Sequence, residues 1–235
     1  SMYPLTRVGG GASFLYNAVG YLHLLICAMF GVVATLARGP LRWFAAVALV
    51  FSALGLRPGA RLLDLGAGTG KFSRLAAASG TAVIAVDPAE AMIRRAAGLR
   101  RIFPVRAAAE QVPAREGAFD AAAAASAFHW FDGAQALAEL HRVLRPGGRL
   151  ALVWNLRDDA VGWVARLSGI VNRREGGAPR YRKGSWRAAF DAAPGLFSPV
   201  EEAHVKHVHP LSPEAVVDRV ASISFVAVMP EAEEV

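Results

Sequence analysis

The stretch from Leu62 to Gly70, Leu-Leu-Asp-Leu-Gly-Ala-Gly-Thr-Gly, narrows what this chain can fold into more than any other. Three leucines and one acid make a short apolar run, and three glycines on alternate positions follow it. Such a run, ended by turn residues, suits a buried parallel strand. Gly66, Gly68 and Gly70 permit a sharp turn with positive φ and leave no Cβ in the way of a ligand. Residues 71–79 then read as a helix whose first N–H groups point back at the glycines. Strand, glycine loop and helix in that order make a nucleotide-binding shape. The spacing is not that of the dinucleotide fingerprint, which counted from Gly66 needs a third glycine where Lys71 stands.

From Arg61 onward the pattern alternates. Strands are expected at 61–65, 82–87, 103–107, 119–126 and 149–155, and helices at 71–79, 88–101 and 132–144. The fourth strand is an alanine run, a helix-favouring composition, and is read from its position. Alternating strands and helices imply a mostly parallel, doubly wound α/β sheet with right-handed crossovers. Residues 161–174 and 213–222 read as helices and 200–209 as a strand. At 235 residues the chain suffices for one α/β domain with a sizeable core.

The first 40 residues differ in kind. No acid precedes Asp64, and the 24 residues from Phe14 to Ala37 carry no charge. About 20 apolar residues span a bilayer. Arg38, Arg42, Arg57 and Arg61 follow the stretch and only Arg7 precedes it, an asymmetry that would place its far end on the cytoplasmic side. Two readings stand: a membrane contact, or an apolar helix buried against its own domain or a partner. The division expected is an apolar helical segment at 1–40 followed by an α/β domain at 41–235, with a helix over 41–56 leading into the first strand.

A single cysteine, Cys27, excludes a disulfide framework and a cysteine-rich zinc site and suits a reducing, cytoplasmic setting. The net charge of +7 is carried mostly by scattered arginines rather than by a basic block, so nucleic acid is not the expected partner. His207 and His209 would share a strand face near His204, but no acid is placed to complete a metal site, and none is expected.

Asp87 closes the second strand, 23 residues after Asp64. A carboxylate at that edge can accept both hydroxyls of a ribose. His129 follows the fourth strand at the same edge. It reads either as a base or substrate-orienting group or as a structural imidazole beside Trp130. Trp130 and Phe131 either wall an acceptor pocket or pack.

Six motifs occur in order: the glycine stretch, Ala85-Val86-Asp87-Pro88, Ala109-Glu110-Gln111-Val112-Pro113, Phe119-Asp120, Ala127-Phe128-His129-Trp130-Phe131, and Arg142-Val143-Leu144-Arg145-Pro146-Gly147-Gly148. Together they resemble the motif series of class I S-adenosylmethionine-dependent methyltransferases, in particular small-molecule enzymes related to those of trans-aconitate and quinone biosynthesis. The resemblance spans residues 41–230. It implies a Rossmann-like methyltransferase fold with S-adenosyl-L-methionine as cofactor and a small-molecule methyl acceptor, methylated on oxygen or carbon. It implies that Asp64, Gly66, Ala67, Gly68, Thr69 and Gly70 hold the methionine end and that Asp87 holds the ribose. Pro88 and Met92 would flank the adenine, the Ala109-Glu110 backbone would meet its edge, and Ala127 and Phe128 would close the methionine side. The last strand of that fold, inserted antiparallel between two others, has no counterpart in the C-terminal sequence, so the sheet lacks it unless another element fills the gap. The alternatives are a nucleic-acid methyltransferase, or a catalytically silent, cofactor-binding or membrane-associated relative.

Overall fold

The computed structural model describes residues 12–16, 41–206, 211–223 and 226. Its frame is a seven-stranded sheet of β1 (Ala12–Tyr16), β2 (Arg61–Leu65), β3 (Ala82–Val86), β4 (Ile102–Val105), β5 (Phe119–Ala125), β6 (Leu144–Asn155) and β7 (Glu201–Val205). The spatial order is β4-β3-β2-β5-β6-β1-β7. The first five of these run parallel to one another, and β1 lies antiparallel to both of its neighbours.

Seven helices are described: α1 (Leu41–Leu54), α2 (Lys71–Ala78), α3 (Glu90–Ile93), α4 (Gly133–Val143), α5 (Gly162–Arg173), α6 (Ser185–Ala192) and α7 (Pro213–Ala221). The sheet's two faces bury separate sets of side chains, as its period of two requires. Leu62, Val83, Ala85, Ala121 and Ala123 pack with Val50 and Leu54 of α1 and Ala76 of α2. Leu63, Leu65, Ala122 and Ala124 pack with Leu137, Leu140 and Val143 of α4 and with Trp186 of α6. The alanine run is a strand because both of its faces are covered: Ala121, Ala122, Ala123 and Ala124 are fully buried. Burial overrides alanine's helical preference there.

Three expectations change. The sheet does not lack its antiparallel strand: β1 occupies that position, with Phe14 opposite Val153 of β6 and Ala203 of β7. Unpaired strand edges inside a sheet are costly, and residues from the other end of the sequence satisfy them. Phe14, Leu15 and Tyr16 are therefore extended rather than helical. The remainder of the uncharged stretch, residues 17–37, lies outside the described residues, as do His207 and His209. Among the described residues no helix is long and apolar enough to cross a membrane. The helix expected over 88–101 is one turn, α3, and a 3-10 turn at Arg94–Ala96. Positive φ at Gly98 and Arg101 turns the chain into β4 instead.

A strand flanked on both sides has no interior N–H without a ladder partner, so proline within β1 must break a bond. Ser13→Pro is expected to lower stability by roughly 1–3 kcal/mol in urea unfolding and to speed amide exchange in β6 and β7 near Trp154 and His204, the partners of Ser13. Unchanged stability and exchange would remove β1 from the sheet.

Candidate active site

The parallel strands all present their carboxyl ends at one edge. β3 lies on one side of β2 and β5 on the other, so the loops leaving β2 and β5 diverge and open a crevice, the usual ligand position in such sheets. Gly66 marks where the two loops meet. A Cβ placed on it would lie 2.4 Å from Ala127 Cβ and 3.2 Å from Phe131 Cζ, and its φ is +65°. Only glycine fits this close approach. Gly68, with φ +55°, has nothing within 4 Å of an added Cβ. Open space therefore lies over the middle of the loop, where its backbone can meet a ligand. Across the crevice Ser126 takes a φ of 55°, uncommon for a side-chain-bearing residue. The sequence carried no signal for it.

Asp87 holds this loop in place. Its Oδ2 accepts the Gly68 N–H at 2.8 Å and its Oδ1 accepts the Ala89 N–H at 2.9 Å. A carboxylate offers roughly four acceptor positions, so about half of its capacity remains for a ligand's hydroxyls. Pro88 and Met92 are exposed beside it. Ala109 is buried, while the Glu110 carboxylate accepts the Asp132 N–H at 2.9 Å and ties its loop to the turn after β5.

Asp64 lies under the loop. It is fully buried, its Oδ2 accepts the Ser73 hydroxyl, and its Oδ1 has no hydrogen-bond partner. Burial raises its pKa from 3.8 to about 7, with nearby Asp87 adding to the rise and the Ser73 hydrogen bonds opposing it. Asp64 thus supports the loop from below rather than facing the crevice. Ser73, its partner on α2, was not singled out by sequence reasoning. The helix start, Lys71-Phe72-Ser73-Arg74, offered no hint beyond a hydroxyl two residues inside it.

The motif after β5 divides by burial. Phe128 is 1% exposed and packs on Phe131 and Phe190, with ring centroids 5.7 and 6.2 Å away. It anchors the turn from within the core. Phe131 covers Gly66, Ala127 is buried against the same glycine, and Trp130 is exposed. His129 is half-buried, and its Nδ1 accepts the Trp154 indole N–H at 3.1 Å. Burial, with a smaller contribution from the Arg180 charge, lowers its pKa to about 4, so it is neutral near pH 7. Trp154 belongs to an aromatic cluster with Tyr181 and Trp186, whose rings lie 4.9 and 5.1 Å away. Sequence reasoning missed Trp154 and Arg180 because they lie far along the chain from His129. Of the histidines further on, His204 sits with its Nε2 3.1 Å from Glu202 Oε1.

The lifted Asp64 pKa sets a pH dependence. The buried carboxyl holds its proton to a higher pH than the unfolded chain does, so its contribution is whole below about pH 4 and is lost as pH rises to about 7. At ~1.4 kcal/mol per pH unit the loss is a few kcal/mol at most. Asp64→Asn removes this titration, so in urea unfolding the variant should gain on the parent protein between pH 5 and pH 8. Parallel stability–pH profiles would contradict the burial of an ionisable group here.

Comparison with known proteins agrees with this geometry. Residues 63–152 match the family described as a methyltransferase domain. The chain is similar to an uncharacterized methyltransferase of Mycobacterium tuberculosis, 41% identical over 172 residues that cover 72% of this chain and 67% of that protein. An uncharacterized methyltransferase-like protein of Schizosaccharomyces pombe is 36% identical over 179 residues, covering 74% and 68%. A demethylmenaquinone methyltransferase of Clavibacter sepedonicus is 41% identical over 99 residues, 40% of each chain.

Proposed function

The chain belongs to the class I S-adenosylmethionine-dependent methyltransferases, and from that premise we propose that it transfers a methyl group from S-adenosyl-L-methionine to an oxygen or carbon of a small-molecule acceptor. The observation that carries this reading is the crevice between the loops after β2 and β5, with open space over Gly68 and a partly unused Asp87 carboxylate beside it. The residues fit such a donor. Gly66, Ala67, Gly68, Thr69 and Gly70 would receive its methionine part, and the remaining lone pairs of Asp87 its ribose hydroxyls. Pro88 and Met92 would lie along the adenine, with the Ala109-Glu110 backbone at its edge. Buried Asp64 keeps one oxygen without a hydrogen-bond partner beneath the loop.

S-adenosyl-L-methionine supplies a methyl group on a positively charged sulfur, a donor reactive enough to need no covalent help from the protein. The chain's part is to align donor and acceptor and to keep water out. Ala127 and Phe131, packed on Gly66, close the methionine side of the crevice, and Phe128 fixes their turn from within the core. Trp130 and Phe131 offer apolar surface to an acceptor. A small-molecule acceptor is also favoured by the demethylmenaquinone methyltransferase among the relatives.

Calorimetric titration with S-adenosylhomocysteine, the demethylated product, tests the cofactor reading. The parent protein should bind it, and Asp87→Ala should bind at least tenfold more weakly, the scale of a lost charge-assisted hydrogen bond. Equal affinity in the two proteins would place the ribose elsewhere, and no binding to the parent would defeat the proposal.

A further inference from the structure

We infer that Glu139 and Arg142, near the C-terminal end of α4, are positioning residues for the cofactor: their ion pair holds the Ala109–Glu110 backbone at the place where it meets the adenine ring. The part about the adenine rests on the methyltransferase reading above; the part about the loop rests on geometry alone.

Between β4 and β5 the chain runs through residues 106–118 with neither helix nor strand. So long a connection keeps one shape only where something outside it binds its backbone. Both ends of α4 do so. At the start of the helix the Asp132 N–H donates to Glu110 Oε1 at 2.9 Å. Towards its end Glu139 Oε1 accepts the Val112 N–H at 2.7 Å. Arg142 donates from Nη2 to Val112 O at 3.2 Å and from Nη1 to Ala114 O at 2.8 Å. Its own carbonyl accepts the Gly117 N–H at 3.0 Å. Ala109 and Val112 are buried in the same core cluster as Leu137, Leu140 and Val143 of the helix. Two of the sequence motifs, around Ala109 and around Arg142, thus meet across the fold.

An exposed ion pair on a helix contributes little. This one differs in geometry and in burial. Arg142 grips Glu139 with a fork, Nε to Oε2 and Nη2 to Oε1, each at 2.7 Å. The Glu139 side chain is 12% exposed, against 46% for Glu90 in its pair with Arg94. Fork and loop together occupy four of the five guanidinium hydrogens. Lysine carries the same charge at a single point and cannot reproduce that fan. Among the described residues the N–H of buried Val112 has only Glu139 as a partner. Pro113 fixes its own φ, and the Ala114 N–H turns back to Val112 O at 2.7 Å, so the chain bends sharply where the pair holds it. With Glu110 tied on one side and Val112 on the other, the peptide between Ala109 and Glu110 is held in place. Adenine carries an amino donor beside a ring-nitrogen acceptor on its outer edge, and hypoxanthine reverses that order. A backbone fixed to suit the first leaves polar groups mispaired with the second.

Calorimetry with S-adenosylhomocysteine and S-inosylhomocysteine, in which an oxygen replaces the amino group of the base, tests the inference. The parent protein should prefer the adenosine form at least tenfold, the scale of mispaired hydrogen bonds in a built site. Arg142→Lys keeps the charge and removes the fork. It should lose most of that preference, through weaker binding of the adenosine form and little change for the inosine form. Glu139→Gln keeps an acceptor for the Val112 N–H but weakens the hold on Arg142, and should fall between the two. Amide exchange without any ligand should speed up at Val112 and Gly117 in Arg142→Lys and stay as in the parent across β2 and β3, which separates a loosened loop from lost folding. An unchanged preference in both variants, or unchanged exchange at Val112, would overturn the inference; Glu139→Gln decides by the same readouts should Arg142→Lys not fold. A parent protein that binds neither compound would sink the adenine part together with the methyltransferase reading, and exchange at Val112 would still decide the part about the loop.

Discussion

The contact between Gly66 and the Ala127–Phe131 turn governs the rest of the candidate site. Two chain segments leave neighbouring parallel strands in opposite directions, and they approach so closely that a single methyl group on Gly66 would overlap Ala127. That approach sets one wall of the crevice, while Asp87 holds the glycine loop through Gly68. The surrounding structure holds these segments rigidly. Phe128 pins the turn from inside, and Asp87 ties the loop to the end of β3. A site whose main task is alignment needs such support.

Burial shifts two ionisable groups close to the crevice in opposite directions. Asp64 lies under the glycine loop, so buried that its pKa rises to about 7, and Asp87 lies beside the loop. Beyond the turn after β5 lie arginines and a neutral imidazole.

Much of the frame was legible in the sequence because local patterns and global packing agree there. The apolar run before Gly66, the glycines themselves and Asp87 at the end of β3 all stand where periodicity and turn chemistry place them. The alanine strand β5 could be read only from its position, since its residues favour helix and only double-sided burial makes it extended. Three features were not legible. Residues 12–16 join the sheet by pairing with β6 and β7, far away in sequence, and no local pattern encodes that pairing. The helix after β3 stops early because Ala97 is extended and Gly98 takes a positive φ, ahead of the left-handed Arg101 that leads into β4. The partners that define the chemistry, Ser73 for Asp64 and Trp154 for His129, meet their residues only through the fold.

A crystal structure of the protein grown with S-adenosylhomocysteine tests the central claim most directly. The account predicts the nucleoside in the crevice between the loops after β2 and β5, its amino-acid part along Gly66, Gly68 and Gly70 and both ribose hydroxyls on Asp87. Density for the ligand elsewhere on the sheet, or an open crevice at saturating ligand, would contradict it.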